Sequence, residues 1–183
     1  KKLKIKNKEE SDIIVKDLDG VKYIVKSVIK KERKKNPFPP FKTSLLQQQA
    51  SYKLYFSASK TMQIAQQLYE GISLDGDNTG LITYMRTDSF RIANEAQVEA
   101  REFVSKKFGE EFVPEKPRFY KSKKTLSQDA HEAIRPTSVN RTPADMKKHL
   151  TADQYKLYKL IWNRFVASQM SSAILDMTSV EIA

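Results

Sequence analysis

The sequence predicts an α+β fold, mainly helical, with extended segments towards both ends. Three observations carry that reading. Apolar residues recur at helical spacing in four stretches, each preceded by a residue type that caps helices. β-Branched residues gather near both ends in partly alternating runs. Hydrophobic residues make up 39% of the 183, and aromatic residues 10%, enough to build a core.

The elements follow in order. Ile13-Ile14-Val15 and Val21-Lys22-Tyr23-Ile24-Val25-Lys26-Ser27-Val28-Ile29 flank Asp19-Gly20, a turn signal, so a β-hairpin is predicted within residues 10–30. Lys30 to Lys35 form a basic run that meets Asn36-Pro37-Phe38-Pro39-Pro40. Prolines remove N–H donors and fix extended backbone, so this junction reads as an exposed connection, either a solvated linker or a strap contacting phosphates. Leu45, Leu46, Ala50 and Leu54 predict a helix from Thr43 to Tyr55, with Thr43 or Ser44 as N-cap. Ser59 opens a second helix carrying Met62, Ala65, Leu68 and Tyr69 on one stripe, and Gly71 closes it. Asn94-x-x-Gln97 resembles a capping box for a third helix, which Gly109 ends. Thr151-x-x-Gln154 is another, starting the strongest amphipathic stripe: Tyr155, Tyr158, Ile161, Trp162, Phe165 and Val166. Thr178 to Ile182 alternate like a strand. No internal repeat is present. Strand patterns that finish neither sheet suggest a piece of something larger.

Charge narrows the partner. Lys and Arg number 33 against 22 Asp and Glu, a net +11, which favours a polyanion such as nucleic acid or an acidic membrane surface. Residues 1–40 alone hold 13 Lys/Arg and 6 Asp/Glu. The absence of cysteine excludes disulfide frameworks, thiol catalysis and Cys-containing zinc folds. No run of 18 apolar residues offers a membrane-spanning helix.

The chemistry-bearing residues fall in two clusters. Leu81-Ile82-Thr83-Tyr84-Met85-Arg86-Thr87-Asp88-Ser89 follows the turn-rich Asp75-Gly76-Asp77-Asn78-Thr79-Gly80. On an extended segment Tyr84 and Arg86 would share one side, setting a potential nucleophile beside a guanidinium that can fork onto a phosphate. An isolated Tyr-x-Arg fits an ordinary strand equally well. The second cluster is Gln128-Asp129-Ala130-His131-Glu132-Ala133-Ile134-Arg135-Pro136-Thr137. Its His-Glu pair invites a zinc reading, but Arg135 stands where H-E-x-x-H needs a second histidine. His149 is the only other histidine, so a tight transition-metal site is not expected.

Together these clusters resemble the type IA DNA topoisomerases, and the bacterial topoisomerase I branch in particular. Gly80 to Ser89 looks like the family's active-site tyrosine motif, and Asp129 to Thr137 like its second signature. Pro40-Phe-Lys-Thr-Ser-Leu-Leu-Gln-Gln-Gln-Ala50 is similar to the entry into its tyrosine-bearing helical domain. Lys156 to Met170 follows the family pattern as well. The resemblance covers roughly residues 25–180.

This resemblance implies a helix-turn-helix-like tyrosine domain at 41–137, a β-rich part of a connecting arch at 1–40, and a return segment at 138–183 with a long helix and a terminal arch strand. It also implies that the flanks pair in a sheet, and that Pro37–Pro40 marks a hinge boundary. The implied reaction is relaxation of DNA without ATP, through transient single-strand cleavage, a 5′-phosphotyrosine and strand passage. By the same resemblance Tyr84 is the nucleophile and Arg86 holds the scissile phosphate. Asp88 and His131 form a supporting pair; its alternative is a purely structural hydrogen bond. Thr87, Ser89, Glu132 and Arg135 line the cleft, while Lys60 and Arg33 of the basic strap contact the DNA backbone.

The implied partners are the single-stranded part of negatively supercoiled DNA and an acidic metal-binding domain of the same polypeptide, with no membrane. The implied setting is the bacterial cytoplasm, at the nucleoid. Mg²⁺ is expected for the full enzyme, bound outside this chain. Asp17-Leu18-Asp19 has the spacing of paired metal ligands but falls in the predicted hairpin turn. The chain alone is therefore expected to bind single-stranded DNA without cleaving it. Three alternatives remain: a non-catalytic helix-turn-helix DNA-binding module, the topoisomerase part of a reverse gyrase, and a tyrosine recombinase. The last is disfavoured because Tyr84 precedes His131.

Overall fold

The computed structural model describes residues 3–74, 76–120 and 131–183. The chain divides into two units, one of residues 1–34 with 174–183 and one of residues 35–173. The sequence instead suggests divisions after 40 and 137. The difference arises because the long helix after 150 packs with the helices that precede the tyrosine motif.

The first unit departs from the expected hairpin. Lys8–Leu18 form helix α1 and Val25–Lys35 form strand β1. Helix prevails over the β-branched Ile13-Ile14-Val15 because both ends of α1 are well made. The Asn7 side chain accepts from the Glu10 N–H at 2.9 Å. Glu9 and Glu10 in the first turn and Lys16 in the last complement the helix dipole. Asp19-Gly20, read as a hairpin turn, instead ends this helix: Asp19 N–H donates to the Lys16 carbonyl, and Gly20 takes a φ of 76°. The Lys30–Lys35 run belongs to β1, so it is strand and not linker.

The partner of β1 is β4, Ala173–Ile182. The two flanks thus pair, as the resemblance implies. Ile24 and Ala183 exchange both backbone hydrogen bonds, at 2.8 and 2.9 Å, the mark of antiparallel pairing. Ser27 and Lys26 both reach the Glu181 carboxylate, at 3.2 and 3.4 Å. Neither strand nor α1 contains a buried residue.

The second unit holds the core. Helices α2 (Thr43–Leu54) and α3 (Ala58–Glu70) are joined by the turn Tyr55-Phe56-Ser57, a helix-turn-helix connection. A small antiparallel hairpin follows, β2 (Ile72–Leu74) with β3 (Asp77–Thr79), where the sequence reads only a turn-rich loop. Then come α4 (Asn94–Phe108), the short α5 (Pro143–Met146) and α6 (Ala152–Ser168). Leu157, Tyr158, Ile161, Phe165 and Val166 of α6 are buried with Leu46 and Ala50 of α2 and Ile64, Ala65 and Leu68 of α3. Each large apolar side chain so buried contributes about 1.5–3 kcal/mol. Trp162 satisfies its indole N–H on the Val139 carbonyl at 2.9 Å.

Helix ends show where pattern reading succeeds. The capping box at Thr151 and Gln154 forms. Gly71 and Gly109 end α3 and α4 with φ of 127° and 117°. The box at Asn94 and Gln97 does not form: Gln97 is buried and donates to the Arg118 carbonyl, and Ala93 takes the cap position. Lys42 rather than Thr43 or Ser44 holds the N-cap position of α2, without a side-chain bond, and Ser57 rather than Ser59 caps α3. Among the described residues no helix is long and apolar enough to cross a membrane.

Candidate active site

The tyrosine segment is held on two sides. Leu81 N–H donates to the Leu68 carbonyl at the end of α3, 2.7 Å away. Directly before it, Gly80 lies so close to α3 that a Cβ there would stand 2.7 Å from the Tyr69 carbonyl oxygen. That approach requires glycine. On the other side Ile82 pairs antiparallel with Pro136, Thr83 N–H donates to the Arg135 carbonyl at 2.9 Å, and Thr137 N–H donates to the Leu81 carbonyl at 3.0 Å. Ile134 bridges in turn to Phe41, just before α2. The two motif clusters, about fifty positions apart in sequence, therefore lie side by side.

From Tyr84 to Ser89 exposure alternates. Tyr84, Arg86 and Asp88 are exposed, while Met85, Thr87 and Ser89 are buried. Phenol, guanidinium and carboxylate are thus presented to solvent from a loop whose other side chains face the core. The Tyr84 ring stands between two others. Tyr69 meets it edge to face with centroids 5.4 Å apart, and His131 lies tilted with centroids 5.7 Å apart. Among the described residues neither Arg86 nor Asp88 enters an ion pair, and none joins Asp88 to His131. His131 reaches the site through its contact with Tyr84.

The remaining candidates have other occupations. The Thr87 hydroxyl accepts from the Ser89 N–H and the Ser89 hydroxyl from the Arg91 N–H, both at 3.0 Å. These two hydroxyls shape the loop from inside. Arg135 is nearly buried and pairs with Glu132 at 2.7 Å, with a further bond to the Pro136 carbonyl. Glu132 also accepts from the Ala93 N–H, joining the signature segment to the start of α4. Lys60 forms a 2.6 Å ion pair with Asp153 and lies over the Phe56 ring. Arg33 is exposed on β1 in the other unit. Gln128, Asp129 and Ala130 of the second signature lie outside the described residues.

Three residues at the site escape the sequence reading. Tyr69 is placed by periodicity on one stripe with Met62, Ala65 and Leu68, yet it is exposed and flanks Tyr84. Gly80 is read as a turn residue and as the start of the tyrosine motif, without its close approach to α3. Thr43 appears as a helix cap, whereas its hydroxyl bonds to the tyrosine loop. Among the described residues no three His, Cys, Asp or Glu side chains gather in a group able to hold a metal ion.

The helical unit thus exposes a tyrosine and, two residues on, an arginine from one tightly bonded loop. The family follows. The family model described as DNA topoisomerase matches residues 1–183, and the chain belongs to that family. It is 47% identical over 182 residues to DNA topoisomerase 1 of Rickettsia bellii (strain RML369-C), covering all of this chain and 23% of that protein. It also matches the solved structure of full-length topoisomerase I from Thermotoga maritima, with a TM-score of 0.81 and 43% identity, over 98% of this chain and 28% of that one. The chain thus spans about a quarter of the length of these relatives.

Proposed function

We propose that this chain carries the strand-cleaving tyrosine of a type IA DNA topoisomerase. The observation that supports the reading best is the exposed Tyr84, seated between Tyr69 and His131 with Arg86 exposed two residues on. In this reading the Tyr84 oxygen attacks the phosphorus of a DNA phosphodiester. An O–P bond forms to the tyrosine, the bond from phosphorus to the 3′ oxygen breaks, and that oxygen leaves as a hydroxyl by taking up a proton. The phosphate stays on Tyr84 as a 5′-phosphotyrosine, and reversal of the same step rejoins the strand. One ester replaces another, so the reaction needs no ATP.

The Tyr84 phenol must give up its proton during attack. Arg86 stabilises charge that grows on the non-bridging oxygens. His131, whose ring lies against that of Tyr84, is the group that supports the attacking phenol in this reading, with Asp88 as its expected partner carboxylate. Mg²⁺ belongs to carboxylates outside this chain. The substrate is the single-stranded segment of negatively supercoiled DNA, whose backbone also meets basic residues such as Arg33.

Trapping tests the proposal. The full-length polypeptide is mixed with a labelled single-stranded oligonucleotide and Mg²⁺, then denatured. A covalent protein–DNA adduct is expected, and Tyr84→Phe is expected to abolish it. An adduct that survives in Tyr84→Phe would place the nucleophile elsewhere. The chain on its own is expected to bind the oligonucleotide, with an affinity that falls steeply with salt, and to form no adduct.

A further inference from the structure

We propose that Thr43 is the positioning residue of the cleavage loop, a latch that fixes the backbone on both sides of Arg86; this rests on the proposed function. Thr43 is the first residue of α2, where a backbone N–H has no partner within the helix. That N–H donates to the Thr87 carbonyl at 2.9 Å. The Thr43 hydroxyl donates to the Met85 carbonyl at 2.7 Å, with the Thr87 carbonyl as a second acceptor at 3.0 Å. The same oxygen accepts from the Thr87 N–H at 2.9 Å. One residue thus satisfies the carbonyl before Arg86 and both backbone groups of the residue after it.

Three features make this more than a structural contact. The loop from Met85 to Phe90 belongs to no helix or strand, so its backbone groups need partners from elsewhere. A hydroxyl both donates and accepts, which no apolar residue of the same shape can do. The pinned residues flank the exposed guanidinium and follow Tyr84 directly, so any slack here displaces both groups that must meet one phosphate. A small misplacement of reacting groups lowers the rate of the chemical step far more than it weakens binding.

The experiment uses the full-length polypeptide with three substitutions. Thr43→Ser keeps the hydroxyl, Thr43→Val keeps the shape without it, and Tyr84→Phe tests the underlying reading. Single-turnover adduct formation and oligonucleotide binding are measured separately, together with melting. Thr43→Val is expected to slow adduct formation by about tenfold or more with oligonucleotide Kd changed less than about twofold, and Thr43→Ser to restore the wild-type rate. Wild-type cleavage in Thr43→Val, equal defects in Val and Ser, or a loss explained by binding would overturn the latch. Should Thr43→Val not fold, hydrogen exchange of the Thr87 amide in the wild-type protein decides. Protection of about a hundredfold supports the latch, and free exchange refutes it. An adduct in Tyr84→Phe would refute the nucleophile assignment instead, so the two failures are distinguishable.

Discussion

The ring of Tyr84 meets that of Tyr69 edge to face, with centroids 5.4 Å apart and planes at 65°. Tyr69 sits in the last turn of α3, whose end also fixes Leu81 through the Leu68 carbonyl. The Tyr84 ring and the backbone three residues before it therefore refer to the same helix terminus. Such aromatic pairs add about 0.5–1.5 kcal/mol beyond area burial, enough to favour one orientation of an exposed ring severalfold. Tyr69→Leu is expected to slow adduct formation by about three- to tenfold in the full-length polypeptide, while Tyr69→Phe stays near wild type. Equal rates in all three proteins would show that the ring pair does not orient Tyr84.

Glu132 supports the site from behind. It pairs with Arg135 at 2.7 Å, with side chains only 19% and 11% exposed, and it accepts the Ala93 N–H at the start of α4. Glu132→Ala leaves a nearly buried guanidinium without its counter-charge and a helix N-terminus without its acceptor. The expected cost is about 3 kcal/mol in urea denaturation of this chain. Glu132→Gln, which keeps an acceptor, is expected to lose less. A loss below about 0.5 kcal/mol in Glu132→Ala would mean that water replaces the carboxylate without penalty.

Local chemistry explains which parts of this arrangement are legible in the sequence. The α6 stripe and its Thr151–Gln154 box are local, and both appear as read. The Asn94 box has the same spacing and the same glutamine, yet Gln97 turns to Arg118 and Glu132 serves Ala93 from a distant segment. Ile13-Ile14-Val15 reads as strand because periodicity over three residues carries little information, whereas capping by Asn7 and a favourable charge order decide for helix. Tyr84 and Arg86 stand out in the sequence because the segment around them resembles a family motif, and in the fold both are exposed. Thr43 and Tyr69 do not stand out, since a hydroxyl at a helix start looks like a cap and an aromatic at helical spacing looks like core. Only the folded chain brings them to the tyrosine loop.

Tyr158 joins α6 to the segment after the second signature. Its ring is fully buried and its hydroxyl donates to the Arg141 carbonyl at 2.6 Å. Burial raises the pKa of this phenol well above the ordinary value of 10.0. The native state therefore keeps its proton when the unfolded chain has lost it. The resulting stabilisation is complete below pH 10.0 and declines as pH rises above it. Tyr158→Phe is expected to lose about 1 kcal/mol at neutral pH through the unpaired carbonyl, and to lack this phenol's share of the alkaline loss of stability. Identical alkaline limbs in urea titrations of the two proteins would contradict the assignment.

Lys60 links the charge excess to a definite test. Its ammonium holds Asp153 at 2.6 Å, and the hydrogen bond it donates is the chief reason that the Asp153 carboxyl titrates below its ordinary value of 3.8. A depressed carboxylate pKa gives a contribution that is present above pH 3.8 and is lost as pH falls through the native value. Both side chains are well exposed, so the pair adds little to stability. Its consequence is electrostatic instead: a DNA phosphate that recruits Lys60 must draw it from Asp153. Lys60→Gln is expected to return the Asp153 carboxyl towards 3.8 in an NMR titration, with little change in melting temperature. If Lys60 touches the backbone, the same substitution also lowers the salt dependence of oligonucleotide binding by about one phosphate contact, whereas Asp153→Asn strengthens binding by freeing the ammonium. An unchanged salt slope in Lys60→Gln would leave the lysine to its ion pair and remove it from the DNA-binding surface.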